Sequence, residues 1–274
     1  MATAEMMLAS ASKATEAPVL IDIDGVSVHF ESQDGTRVTA LSRLDLQIRA
    51  GEILSLVGPS GCGKSTTLRL IAGLQAPSEG VLSIHGGAKR RGFSEVAIVF
   101  QKPTLLPWLN VLKNVLYPVR VLNRRITAAD KARAIELLAL VGLSEAATKM
   151  PKELSGGMQQ RVAICRSLIL DPKILLMDEP FGALDALTRE DLQLDLLRIH
   201  AETKKTILLV THSISEAVLL SDRVAVMSAR PGRMRDLMEI DIDTPRTHQT
   251  ASEPKFSAYA QRIRDQIFEP RAGR

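Results

Sequence analysis

The chain has 274 residues, with 35 Lys and Arg against 31 Asp and Glu, 45% hydrophobic and 24% charged residues, and two cysteines, Cys62 and Cys165. This is ordinary globular composition and excludes disordered, collagenous and disulfide-framed classes. The net charge of +4 is small and its tightest clusters, Lys89-Arg90-Arg91 and Arg230 to Arg235, are short, so the dense basic stripe of a nucleic-acid surface is missing and no nucleic acid is expected.

Residues 1–18 are rich in Ala, Ser and Thr and read as a mobile tail. They lack the basic start and continuous apolar centre of a signal peptide. Ile21 to Phe30 alternates apolar and polar residues, as a half-buried strand does. Asp34-Gly35 is predicted to turn the chain, and Val38 to Ile48 continues the alternation. Ile53 to Val57 is a short apolar run beside Gly51 and Gly58, the pattern of a strand buried on both faces. A helix follows Gly63 and stops at Gly73, and strands are predicted at Val81 to His85 and Val96 to Phe100.

From about residue 102 to 167 the pattern becomes helical. Thr127 to Asp130 supplies a helix start, Ala134, Leu137, Leu138 and Val141 its apolar face, and Gly142 its stop. Strands return at Lys173 to Met177 and Thr206 to Thr211, flanking a helix over Leu187 to Glu202. Strand, helix, strand implies a parallel sheet with helices on its faces. A late strand is predicted at Met238 to Asp243. Phe256, Tyr259, Ala260, Ile263, Ile267 and Phe268 then mark an amphipathic helix. No apolar run approaches the ~18 residues that cross a bilayer.

Three segments carry chemistry. Gly58-Pro59-Ser60-Gly61-Cys62-Gly63-Lys64-Ser65-Thr66 fits G-x-x-x-x-G-K-[ST] at every fixed position, between a predicted strand and a predicted helix. Its glycines let backbone N–H groups converge on an anion, and the helix N-terminus adds positive potential. Lys64 suits the β- and γ-phosphates, and Ser65 suits Mg2+. Ile174 to Pro180 is an apolar strand ending in Asp178 and Glu179. Asp178 suits Mg2+, and Glu179 suits deprotonating a water. Ser155-Gly156-Gly157 opens a helix running through Arg161, a second site with free N–H groups, a hydroxyl and a dipole.

Together with Leu154-Ser-Gly-Gly-Met-Gln-Gln-Arg161, these motifs resemble the ATP-binding subunit of an ABC transporter over about Ile21 to Met234. The resemblance implies an α/β fold: a P-loop NTPase (RecA-like) core with a mainly parallel sheet, an N-terminal antiparallel β subdomain and an inserted α-helical subdomain. The ATPase domain would span 19–235, and 236–274 would form a C-terminal extension. Phe30 matches the aromatic that stacks on adenine, with tyrosine commoner there. Gln101 matches the glutamine that contacts Mg2+ and the attacking water. Ser155, Gly156, Gly157 and Gln159 match the signature that binds the γ-phosphate, Asp185 the loop that crosses to a partner, and His212 the γ-phosphate sensor. The residues alone leave open core packing for Phe30 and His212, a loop role for Gln101 and a helix cap for Asp185.

The resemblance further implies two ATP molecules with Mg2+, sandwiched between two copies of the chain. Each phosphate loop would face the other copy's Ser155-Gly156-Gly157, with integral membrane permease subunits and, indirectly, a solute-binding protein as partners. Leu105-Leu106-Pro107-Trp108 and Gly182 to Arg189 look most like importers of the nitrate, sulfonate and taurine type, peripheral to the cytoplasmic face of a bacterial inner membrane. A soluble ABC-type ATPase acting on ribosomes or DNA is the alternative. Such proteins usually carry two cassettes or a long coiled coil, and this chain carries one cassette. Cys62, near a helix N-terminus and Lys64, is expected to have a lowered pKa; maleimides would inactivate the ATPase and ATP would protect it.

Overall fold

A computed structural model of the chain describes residues 17–31, 35–85, 95–122 and 125–268. Residues 1–16 of the expected tail, Asp34 of the expected turn and the Lys89-Arg90-Arg91 cluster lie outside these. The framework is a six-stranded sheet in the order β5 (Val96–Val99), β6 (Ile174–Asp178), β7 (Thr206–Val210), β3 (Ile53–Val57), β8 (Arg223–Met227), β9 (Met234–Glu239). Five strands run parallel and β9 runs antiparallel to β8. A second sheet is antiparallel, in the order β2 (Arg37–Arg49), β1 (Val19–Glu31), β4 (Glu79–Ile84).

Every residue of β3, β7 and β8 is buried, which is why each reads as a continuous apolar run with only Ser55, Thr206 and Arg223 as polar exceptions. Successive side chains of a strand point to opposite faces, and the two cores follow that rule. Ile53, Val57, Leu175, Met177, Ile207, Leu209, Val224 and Val226 face the helices. Leu54, Leu56, Ile174, Leu176, Leu208, Val210, Ala225 and Met227 face the antiparallel sheet, through Ile21, Ile23, Leu44 and Ile48.

The helices are α1 (Lys64–Ile71), α2 (Val111–Val115), α3 (Tyr117–Val121), α4 (Ala128–Leu140), α5 (Gly156–Leu168), α6 (Ala186–Thr203), α7 (Ile214–Leu220) and α8 (Pro254–Phe268). Their starts are set locally. Thr127 and Asp130 cap α4 reciprocally, while Ser155, Asp185 and Ser213 accept backbone N–H groups at the starts of α5, α6 and α7. Helices α2 to α5 pack through Val111, Val115, Leu137, Leu138 and Ile164. Burial pushes the Cys165 thiol up to about 12, the behaviour of a core residue.

Three expectations need correction. Strand β8 was not foreseen, although it sits between the phosphate-loop strand and the sheet edge. The late strand begins at Met234, four residues before the expected Met238, because its register is set by β8, with Arg223 opposite Glu239 and Met227 opposite Met234. Phe268 is 72% exposed; α8 is held by Phe256 and Ile263 instead.

Two charged side chains tie the far strands in. Arg223 donates through Nε to Glu52 Oε2 at 2.8 Å and through Nη2 to Glu52 Oε1 at 2.6 Å, both side chains being buried. Arg246 donates to the carbonyls of Leu219 at 2.9 Å and Ser221 at 2.8 Å, and reaches those of Val218 and Ile240. It thereby fastens the segment after β9 to the last turn of α7.

Candidate nucleotide site

The C-terminal ends of four neighbouring parallel strands carry the candidate residues: Gln101 after β5, Asp178 and Glu179 at β6, Thr211 and His212 after β7, and Gly58 after β3. Residues distant in sequence meet there because parallel strands all end on the same edge, where α/β sheets bind ligands.

The phosphate loop leaves β3 at Gly58, whose φ of 154° an L side chain adopts only with strain. An added Cβ there would stand 2.8 Å from the Met227 carbonyl oxygen. Gly63 caps α1 with φ 96° and no side-chain bond. Pro59 and Thr66 are half-buried, while Ser60, Gly61 and Ser65 are exposed. Lys64 is buried and curls back, its Nζ donating to the carbonyls of Gly58 at 2.8 Å and Pro59 at 3.2 Å. An ammonium held by two weak neutral acceptors is ready to exchange them for charged phosphate oxygens, which bind about twice as strongly. The Arg230 guanidinium rests against Gly61, where an added Cβ would meet its Nε at 2.8 Å. The Arg230 cluster therefore includes a residue of the phosphate-loop surroundings, which charge counting alone did not suggest.

Ser65 Oγ lies 3.4 Å from Asp178 Oδ1. Burial in the first place, with Glu179 adding, pushes the Asp178 carboxyl above its ordinary range, against the Ser65 bond and the cations Arg69 and Lys64. Glu179 has φ 48° in the left-handed region, and its N–H still donates to the Val210 carbonyl at 2.8 Å. Its Oε1 lies 3.2 Å from His212 Nδ1, with the His212 side chain 65% exposed. The exposure argues against a core histidine. The Gln101 amide packs against Gly182, whose N–H donates to the Glu179 carbonyl at 3.1 Å. Two carboxylates, an amide and an imidazole thus gather at the strand ends beside the phosphate loop.

Ser155, Gly156 and Gly157 stand elsewhere. Ser155 Oγ accepts the Met158 N–H at 3.3 Å. Gly157 is packed so closely on Thr188 that an added Cβ would sit 2.2 Å from its Cγ2. Among the described residues no hydrogen bond joins this helix start to residues 58–66. Asp185 caps α6 by accepting the Thr188 N–H at 3.0 Å, the first cause holding its carboxyl below the ordinary range. The cap and the exposed loop position coexist.

Three candidates have surroundings that bear on their roles. Phe30 is next to last in β1 and is 39% exposed, so it is not core packing and presents its ring. Gln159 turns its amide to the carbonyls of Pro151 at 3.1 Å and Leu154 at 3.2 Å; it braces the segment before Ser155. Cys62 reverses its expectation. Its side chain is fully buried in the core against the antiparallel sheet. Burial raises the thiol, and the nearby Lys64 only partly offsets it. Neither Lys64 nor the helix start outweighs the loss of water around a thiolate.

A phosphate loop between a buried parallel strand and a helix, faced by strand-end carboxylates, defines a P-loop nucleoside triphosphatase. Residues 41–182 match the family described as ABC transporter. A "Taurine import ATP-binding protein TauB" of Jannaschia sp. is 42% identical over 255 residues, covering 90% of this chain and 93% of that one. A "Bicarbonate transport ATP-binding protein CmpC" of Synechocystis sp. is 45% identical over 237 residues, 86% of this chain but 36% of that longer one. The cassette MJ0796, solved as a dimer, superposes with a TM-score of 0.69 at 32% identity, over 82% of this chain and 100% of that one. The chain belongs to the ABC transporter ATP-binding family and is an ATP-hydrolysing cassette.

Proposed function

We propose that this chain powers a membrane importer for a small anionic solute of the nitrate, sulfonate, taurine or bicarbonate kind, working as a dimer of cassettes at the cytoplasmic membrane face. The observation that carries the dimer is the dimeric structure of the similar cassette MJ0796, together with the presence of two anion sites in one chain. The phosphate loop has its lysine and carboxylates, and Ser155-Gly156-Gly157 has its free N–H groups, yet no hydrogen bond among the described residues links them. A two-fold axis brings each to the other's partner and makes two equal sites.

In this reading ATP displaces the Gly58 and Pro59 carbonyls from Lys64. Phe30 offers its exposed ring to adenine. Ser65, Asp178 and Gln101 fit Mg2+, a cation of hard oxygen ligands usually held with substrate phosphates; when bound it neutralises phosphate charge. The Ser65 hydroxyl and the Asp178 carboxylate, 3.4 Å apart, are oxygen donors of the kind that would hold the ion. Glu179 takes the proton of the attacking water, and His212, whose Nδ1 lies 3.2 Å from Glu179 Oε1, senses the γ-phosphate. The partner's signature serine and helix start stabilise transition-state charge, as an arginine finger does elsewhere.

The permease surface is supported by a braced loop. Asn114 accepts the Leu106 N–H at 2.8 Å and donates to the carbonyls of Leu106 and Leu109. Arg166 holds the carbonyls of Pro103 and Thr104. Leu105 packs into the core, and Trp108 is left 70% exposed, an anchor fit for a partner. Among the described residues no helix is long and apolar enough to cross a membrane, and the attachment proposed here is peripheral.

Tagged Glu179→Gln, purified with ATP from host membranes, tests the reading. Hydrolysis should fall roughly 10²–10⁴-fold, the usual effect of losing a general base. The variant should run as a dimer and bring down an integral membrane protein at one copy per cassette. A monomer at saturating ATP would count against the sandwich. Ribosomal proteins or DNA, with no membrane partner, would count against the importer.

A further inference from the structure

Glu216 is a buried carboxylate that no step above uses. It lies on α7, four residues after His212. Thr211 Oγ1 donates to its Oε2 at 2.5 Å. The same hydroxyl accepts the Ser213 N–H at 3.0 Å, and Ser213 Oγ accepts the Glu216 N–H at 3.3 Å. Thr211, before His212, is therefore fastened to the Glu216 carboxylate, and Ser213, after it, to the Thr211 hydroxyl and the Glu216 backbone N–H, while His212 itself projects to Glu179.

The other Glu216 oxygen faces a different element. Arg189 Nε stands 3.9 Å from Oε1. Arg189 is rooted in the loop that ends at Asp185: its Nη2 donates to the Leu184 carbonyl at 2.9 Å, and its backbone N–H to the Asp185 carbonyl at 2.9 Å. The Arg189 Nε is buried and donates no hydrogen bond among the described residues. A chain of polar contacts thus runs from Leu184 and Asp185 through Arg189, Glu216 and Thr211 to the peptide units beside His212.

A buried charge is unfavourable unless it is paired. The Glu216 carboxylate is partnered on both sides, by the Thr211 hydroxyl and by Arg189, so its place in the core is explained by what it holds. The 3.9 Å gap matters too. It is an ion pair but not a hydrogen bond, so a movement of the Asp185 loop that closed the gap would add a charge-assisted hydrogen bond to Glu216.

We infer that Arg189 and Glu216 form a positioning bridge that sets the His212 segment according to the position of the Asp185 loop within the same chain. The inference rests on the proposed roles of His212 and Asp185. Neither bridge residue touches nucleotide. The bridge acts through Thr211, and movement of the Asp185 loop by a second cassette would reach His212 along this route.

The test is a set of cycles on the purified full chain, with ATPase activity and affinity for a fluorescent ATP analogue measured together. Glu216→Gln keeps shape and an acceptor for Thr211 but gives up the charge that draws Arg189. It should lower kcat about 10-fold, within the range that coupled neighbours show, and leave analogue affinity within about twofold. Arg189→Met should do the same, and the double variant should be no worse than either alone. Thr211→Val should share the loss and Thr211→Ser should restore it. In a His212→Ala background Glu216→Gln should have no further effect on kcat. Equal losses in both backgrounds, or an additive Arg189/Glu216 pair, would overturn the bridge and leave a structural staple.

A second measurement keeps the test decisive if His212→Ala is inactive. The His212 ring resonance, assigned by its absence in His212→Ala, should shift in both Glu216→Gln and Arg189→Met. An unmoved resonance would overturn the inference. If His212→Ala instead hydrolyses ATP at the wild-type rate, the role of His212 is wrong, and that failure is distinct from failure of the bridge.

Discussion

Gly63→Ala asks whether the phosphate loop is shaped by the sheet beneath it. Gly63 has φ 96°, and a Cβ there would lie 2.4 Å from Leu41 Cδ2 and 3.2 Å from both Leu41 Cγ and the Ala40 carbonyl oxygen. Leu41 has little room to retreat. It is fully buried, it pairs with Val28 across β1 and β2, and it bridges to Gly232. The left-handed backbone costs an L residue about 1–2 kcal/mol, and overpacking a core typically costs about 1–3 kcal/mol more. Relief comes most easily if the loop shifts and carries its N–H groups off the phosphate position. Even ~2 kcal/mol expressed in binding is about a 30-fold loss, at roughly 1.4 kcal/mol per tenfold. The assay is titration with a fluorescent ATP analogue, with thermal melting alongside. Leu41→Ala in the same chain removes the clash and leaves the backbone strain, so the double variant should regain part of the lost affinity although its stability falls further. Wild-type affinity in Gly63→Ala, or a double variant that binds worse still, would refute the reasoning.

Asp178→Asn should melt above the wild type at neutral pH in the absence of nucleotide. The raised Asp178 pKa means the folded chain binds this proton more tightly than the unfolded chain. Its favourable contribution is present below the ordinary carboxylate range and is lost as pH rises through the raised folded value. The gain from Asn should shrink on acidification, and a lower melting temperature at pH 7 would refute the sign. Cys62 should resist maleimide in the native protein, with or without ATP, and react on denaturation; rapid labelling that ATP blocks would contradict its burial. Arg246→Ala should cost roughly 1.5–3 kcal/mol, the value of hydrogen bonds to a charged group. At about 2–4 °C per kcal/mol for a domain of this size class, melting should fall by several degrees with analogue affinity unchanged. An unaltered melting temperature would dismiss the clasp.

What the sequence determined by itself is local. Glycines at 58, 61 and 63 followed by Lys64 specify an anion loop because positive φ and converging N–H groups arise within a few bonds. Thr127 with Asp130, and Ser155 before two glycines, announce helix starts for the same reason. Strands β3, β6 and β7 were legible as continuous apolar runs because they are buried on both faces. What only the tertiary structure decided depends on which surface covers which. Strand β8 is five residues without flanking glycines, and it becomes a strand by pairing with β3 on one side and β9 on the other. That pairing, not its own pattern, sets where β9 begins. Cys62 has the neighbours of a reactive thiol in sequence, but the loop turns it into the core shared with Leu41 and Met227, and desolvation then outweighs the nearby charge. Arg189 and Glu216 sit 27 residues apart and carry no motif. They meet because α6 and α7 both start at the same sheet edge, a long-range consequence of burying apolar faces rather than of any bond between near neighbours.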